Sequence, residues 1–313
     1  MQDKPSLFSR FHNKGFRWND FFVIPVLLTF FLFVSGQIAG EIIQLAVLGS
    51  SADQLSPFMD MFWMYFSNIG VWIVILLYCR FIPGNRPILQ TIGTKPKGNS
   101  LKLFGIGLLI GFGMNGLCIL AAWLNRDIHL SFSSVSAVPI LLLFAAVLVQ
   151  SSAEELSDRC FLYQRIRRGY RSPWFAILLS SAVFALMHGL NPGVTFSALL
   201  DIFISGLLFS MFVYYYDSLW CAFGIHTAWN YTQNVIFGLP NSGFVSAFSI
   251  FQLDAASARA SFAYDPSFGI EGTFLSILVQ AIGCVLVWYF GSKRKHPSLN
   301  PWAEQESRSP SAS

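Results

Sequence analysis

The stretch Val138-Pro-Ile-Leu-Leu-Leu-Phe-Ala-Ala-Val-Leu-Val-Gln-Ser-Ser-Ala-Glu-Glu-Leu-Ser-Asp-Arg159 decides the fold and points to the chemistry. Its first half is apolar and long enough to enter a bilayer. Its second half carries Glu154, Glu155, Asp158 and Arg159. A charged side chain at the centre of a membrane helix costs about 2.5–3.5 kcal/mol. Four of them in one span are too costly to be explained by packing alone, so the default reading is a functional site.

The rest of the chain agrees with a membrane setting. It has 313 residues, of which 54% are hydrophobic and 12% charged, with 32 Phe; soluble domains carry about 25% charged residues. Eight apolar spans lie at about 21–49, 58–79, 103–124, 137–164, 173–190, 195–214, 218–238 and 273–291, and a membrane helix needs roughly 20 residues. The expected fold is all-α: eight transmembrane helices enclosing an intramembrane polar cavity. Residues 1–18 read as a basic tail, 19–291 as the membrane domain and 292–313 as a second, flexible tail. With the N-terminus in the cytoplasm, 17 of the 20 Lys and Arg fall in cytoplasmic segments, clustered near 4–17, 80–102, 165–171 and 293–308. That asymmetry is the positive-inside signal, and it places both termini in the cytoplasm. The net charge of +4 therefore reports topology and not nucleic-acid binding. Cys79, Cys118, Cys160, Cys221 and Cys284 are scattered, with no metal-ligand spacing, and read as buried thiols.

Helical spacing divides the charged cluster. Glu155 and Arg159 are i and i+4 with the acid first, the better ion-pair order. Glu154 is rotated about 100° from Glu155 and shares a face with Asp158. One glutamate is thus neutralised locally and the other left free. The alternative is a salt-bridge knot that holds helices together, but buried ion pairs stabilise weakly.

Two later motifs sit at the same depth. Phe184-Ala-Leu-Met-His188 lies in the fifth span, and His226-Thr-Ala-Trp-Asn230 in the seventh, where His226 and Asn230 share a face. At 1.5 Å per residue, Glu154, His188, His226 and Asn230 lie about 14–22 Å in from the cytoplasmic boundary. In a hydrocarbon core of about 30 Å this is mid-membrane. Polar groups from three helices converging at one depth make a site. Gln37, Glu41 and Gln44 form a polar stripe on the first span. It lines the same cavity or hydrogen-bonds to neighbouring helices, and the second is the expectation. Gly107 and Gly111 have the spacing that lets helices approach closely.

Glu-Glu-x-x-x-Arg, Phe-x-x-x-His and His-x-x-x-Asn, in this order on separate spans, resemble the CPBP family (CAAX proteases and bacteriocin-processing proteins, also called Abi) over about 137–238. Gly238-Leu-Pro-Asn-Ser-Gly243 and Phe268-Gly-Ile-Glu-Gly272 resemble its bacterial members. The resemblance implies an intramembrane, glutamate-dependent endopeptidase with no cofactor or metal, in a bacterial cytoplasmic membrane. Its substrates would be membrane proteins or lipidated peptides, prenylated CAAX-type or bacteriocin-like. It implies Glu154 as general base, His188 as its partner on the attacking water, and His226 and Asn230 as oxyanion donors. Glu155, Arg159 and Phe184 would support them. Asp158 and Cys160 depart from the family pattern, and Asp158 would compete for hydrogen bonds on the face of Glu154. Two alternatives remain: a zinc metalloprotease using Glu154, His188 and His226, and a non-catalytic immunity or scaffold protein. No inverted repeat favours a transporter. The oligomeric state is not encoded in any of these signals.

Overall fold

The helix that carries the paired glutamates, Ala137–Glu155, does not stop at Glu155. It continues through a wider π-helical turn, Leu156–Leu162, into Tyr163–Gly169. In a computed structural model of the chain, residues 10–13, 15–51, 54–133, 135–246, 248–294 and 298–303 are described. The helices are named in chain order: α1 Val23–Leu48, α2 Pro57–Phe66, α3 Ile69–Phe81, α4 Leu101–Leu124, α5 Ala137–Glu155, α6 Tyr163–Gly169, α7 Pro173–Met187, α8 Phe196–Tyr216, α9 Leu219–Asn230 and α10 Phe274–Gly291. A second π turn, Tyr231–Ile236, extends α9. The only strands among the described residues, β1 Leu130–Phe132 and β2 Phe251–Leu253, pair antiparallel between two loops.

The fold is an all-α, multi-pass membrane architecture. Six helical runs among the described residues are long and apolar enough to cross a membrane. Helices occupy all eight expected spans, but α7 is only 15 residues long and α9 only 12. The span expected at 58–79 is broken at Ser67 and Asn68 between α2 and α3. Polar side chains set several helix starts. Ser56, Ser100, Thr195, Ser218 and Thr273 each accept a hydrogen bond from a first-turn backbone N–H. Large apolar side chains on the outer faces stay exposed, such as Phe31, Leu109 and Leu141; this suits a lipid solvent.

Close helix approach places the site. A Cβ on Gly107 or Gly111 of α4 would collide with the carbonyls of Cys221 and Ile225 on α9, and one on Gly224 with the carbonyl of Phe104. The three glycines seat α9 against α4 at backbone distance, which is how helices gain packing energy in lipid. They thereby fix the rotation of α9 that aims His226 and Asn230 inward. α5 packs on α9 from another side.

The inner parts of both expected tails are packed on the basic side. Asn13 donates its side-chain N–H to the Arg167 and Arg168 carbonyls at 3.0 and 2.9 Å, and just beyond the tail the fully buried Asp20 pairs with Arg165 at 3.2 Å and Arg168 at 3.6 Å. Trp302 is buried and donates its indole N–H to the Gly84 carbonyl at 2.9 Å. The outer parts of those tails, 1–9 and 304–313, lie outside the described residues. All five cysteines are free thiols.

Candidate active site

Glu154 lies one residue before the end of α5, and its two carboxylate oxygens face different surroundings. Oε1 accepts the Gln150 side-chain N–H at 2.5 Å. Oε2 is buried without a hydrogen-bond partner among the described residues. It faces His226 Nε2 at 3.6 Å and His188 Nε2 at 3.9 Å. Both gaps exceed a direct hydrogen bond and suit a bridging water.

Each imidazole is oriented from behind. His188 follows the last residue of α7, and its Nδ1 lies 2.9 Å from the Phe184 carbonyl oxygen. A carbonyl only accepts, so Nδ1 carries the hydrogen and Nε2 points forward. His226 Nδ1 lies 3.0 Å from Glu155 Oε1, which assigns the same tautomer. The His226 ring stacks on Phe209, with centroids 5.2 Å apart, and meets Phe184 edge-on at 5.9 Å.

Glu155 and Arg159 pair at 3.2 Å, and both side chains are fully buried. The guanidinium lies over Phe184 at 4.2 Å and Phe209 at 5.2 Å, so two aromatic faces share the charge. Glu155 therefore does more than neutralise Arg159: the same oxygen also holds His226. Asn230 donates from Nδ2 to Gln150 Oε1 at 3.1 Å. Since Gln150 donates to Glu154, its own oxygen is left to accept, and the amide orientation of Asn230 follows.

These residues share a cavity of about 240 Å³. Glu154, His188, His226, Asn230 and Phe184 all line it; Glu155 and Arg159 lie behind the wall. Asp158 does not line it, contrary to the i+4 expectation. Asp158 sits in the π turn Leu156–Leu162, whose i→i+5 winding differs from the α geometry that the i+4 expectation assumed. It is fully buried, and both its oxygens lack a hydrogen-bond partner among the described residues. Cys160 contacts Thr91 Oγ1 at 3.2 Å, away from the cavity. The polar stripe of α1 also departs from expectation. Gln37 lines the cavity, and none of Gln37, Glu41 and Gln44 hydrogen-bonds to a neighbouring helix among the described residues.

Two contributors were given no site role in the sequence reading, although Glu271 stands in the quoted Phe268–Gly272 motif. Gln150 is four residues before Glu154, a spacing that could have revealed it. Glu271 lies in the loop between α9 and α10. Its carboxylate accepts Ser242 N–H at 2.5 Å, Ser242 Oγ–H at 2.9 Å and the Trp229 indole at 3.2 Å. This fastens the loop that roofs the cavity to the helix that carries His226. Burial pushes the Glu271 carboxyl above its usual value, against the opposing pull of Ser242, His188 and Trp229. Among the described residues, no three His, Cys, Asp or Glu side chains form a group arranged for a metal ion.

Comparison with known proteins bears directly on this geometry. Residues 136–232 match the family described as type II CAAX prenyl endopeptidase Rce1-like. Over this segment the chain is similar to the CPBP, or CAAX-protease, family. The family so matched is one of endopeptidases. The matched segment covers a little under a third of the chain, yet it contains every cavity residue on α5, α7 and α9 named above. Glu271 and Gln37 fall outside it. No curated protein and no solved structure matches.

Proposed function

We propose that this protein is a CAAX-type endopeptidase that hydrolyses peptide bonds of membrane-associated substrates with water activated by Glu154. The observation that carries this reading is the unpaired Glu154 Oε2, set between two forward-pointing imidazole nitrogens. Water held there gives a proton to Glu154 while His188 Nε2 accepts its second hydrogen as a hydrogen bond. The water oxygen attacks the scissile carbonyl carbon, and the carbonyl oxygen becomes an oxyanion. Asn230 donates an N–H to it. His226 is the second donor, from Nε2 in its imidazolium form, with Nδ1–H held by Glu155 Oε1. Glu154 then returns its proton to the leaving nitrogen as the C–N bond breaks. General-base help contributes about 10²–10⁴ in rate, and an oxyanion donor about 2.7–4 kcal/mol.

Lipidated peptides are the substrate class this reading favours, prenylated CAAX-type peptides first among them, with bacteriocin-like peptides as the other candidates. The basic side, where Asp20 meets Arg165 and Arg168, faces the cytoplasm by the positive-inside rule. The test is hydrolysis of a farnesylated CAAX-type peptide by the purified full chain in detergent and in proteoliposomes. Glu154→Gln should abolish turnover and leave folding intact, and a chelator should leave wild-type turnover unchanged. Full activity in Glu154→Gln would remove the mechanism; loss with chelator, restored by zinc, would move Glu154 and both histidines to metal ligation.

A further inference from the structure

The cavity has a mouth, and its rim is charged. Of the cavity-lining residues on α1 and α2, Gln37 and Met64 are exposed; on the roof, Phe244 is. The opening therefore lies where these three meet. The roof beside it is pinned. Glu271 holds Ser242, Asn191 donates to the Ser242 carbonyl at 3.0 Å, and Asn234 donates to the Phe244 carbonyl at 3.2 Å. Gly243, at φ +87°, lies directly on the Pro192 carbonyl where a side chain would collide. Access over this roof is shut, which leaves the α1–α2 side.

An acid stands one helical turn beyond the rim on each flanking helix. Glu41 is four residues after Gln37 on α1, which runs away from the basic side. Asp60 is four residues before Met64 on α2, which runs back toward it. Each acid thus lies about 6 Å further from the basic side than its rim residue. Both are exposed, and neither forms an ion pair or side-chain hydrogen bond among the described residues. An exposed carboxylate on a membrane helix is expensive without a partner. Inside, the described lining has six carboxamides (Gln37, Asn68, Gln150, Asn191, Asn230 and Asn241) and no Lys or Arg. Carboxamides pair with both N–H and C=O of an extended backbone. His226, only 6% exposed, presents Nε2 to this space with no hydrogen-bond partner there.

From this we infer that the mouth between α1 and α2 admits an extended peptide whose flank beside the scissile segment is cationic, with its Lys or Arg side chains against Glu41 and Asp60. The inference rests on the peptidase reading for what happens inside the cavity, but the charge preference is a property of the mouth alone.

Binding separates the two. The full chain carrying Glu154→Gln is placed in zwitterionic phosphatidylcholine nanodiscs, which expose both faces and add no lipid charge. Two farnesylated peptides, identical except for a Lys-Lys or a Glu-Glu flank, are titrated at low salt. The Lys-Lys peptide should bind about tenfold tighter or more, and the margin should shrink with added salt. Glu41→Gln with Asp60→Asn should abolish the preference, and Glu41→Lys with Asp60→Lys should reverse it. Equal affinities, no binding of either peptide, or a preference that the charge variants leave in place would each overturn the inference. Turnover by the wild-type chain is read in parallel. Charge-selective binding without turnover would remove the peptidase mechanism and leave the mouth standing; turnover without charge selection would do the opposite.

Discussion

Glu155→Gln should be the most damaging single substitution at the site for folding. Glu155 and Arg159 are both fully buried and pair at 3.2 Å, and Glu155 also holds His226 Nδ1 at 3.0 Å. Glutamine keeps the shape but removes the charge, which leaves a guanidinium buried with no carboxylate in contact. Breaking a buried pair in this way costs about 3–5 kcal/mol, a factor of roughly 10²–10⁴ in the folded-to-unfolded ratio. The faces of Phe184 and Phe209 keep part of the attraction to Arg159, about 0.5–2 kcal/mol, so the lower half of that range is expected. The assay is a double-mutant cycle by thermal unfolding in detergent, with accumulation of the full chain in membranes read alongside. Glu155→Gln alone should unfold early and accumulate poorly. Glu155→Gln with Arg159→Met should recover part of the loss, because no unpaired charge remains. Wild-type melting of Glu155→Gln, or a double variant no better than the single, would refute the reasoning.

Glu154→Gln should fold almost normally, within about 1 kcal/mol, since its side chain is partly exposed to the cavity and glutamine still accepts from Gln150; marked instability on unfolding would show that the two glutamates have exchanged parts. Asp158→Asn should leave the acidic limb of the pH–rate profile unmoved, because Asp158 lies in the π turn and not on the cavity wall; a displaced limb would put it beside Glu154 after all. For Glu271 the sign follows from burial. Its folded-state pKa is raised above the unfolded value of about 4.3, so the folded state holds the proton more tightly. That contribution is fully present below the unfolded pKa and is lost as pH rises through the folded pKa. The melting temperature of wild type relative to Glu271→Gln should therefore fall as pH is raised from about 4, and a difference independent of pH would count against a buried, raised carboxyl.

How far these contacts were legible in the sequence depends on whether they lie along one helix or between helices. The pair Glu155–Arg159 is set by an i, i+4 repeat, and the structure shows it. Counting rises inward from the basic ends brought Glu154, His188, His226 and Asn230 together, and in the structure all four line one cavity. The link from Glu155 to His226 was not readable, because it depends on the rotation of α9 against α5. That rotation is set by Gly107, Gly111 and Gly224 at the α4–α9 contact; glycine spacing announces a close approach without saying which face meets which. Asp158 was misplaced for a different reason. Apolar periodicity assumes 3.6 residues per turn, and nothing in Leu-Ser-Asp-Arg-Cys announces a wider one. The same widening recurs at Tyr231–Ile236, just after Asn230. Both helices that supply carboxylate and amide groups to the cavity thus change their winding next to those groups. A π turn displaces the following helix relative to a straight α continuation, yet the Arg159 side chain still reaches Glu155 while Glu154 stays turned toward the histidines. The two adjacent glutamates differ in surroundings because the winding of the helix changes directly after them, and a substitution that restored plain α geometry over 156–162 would be expected to bring Asp158 round to Glu154 and merge the two environments.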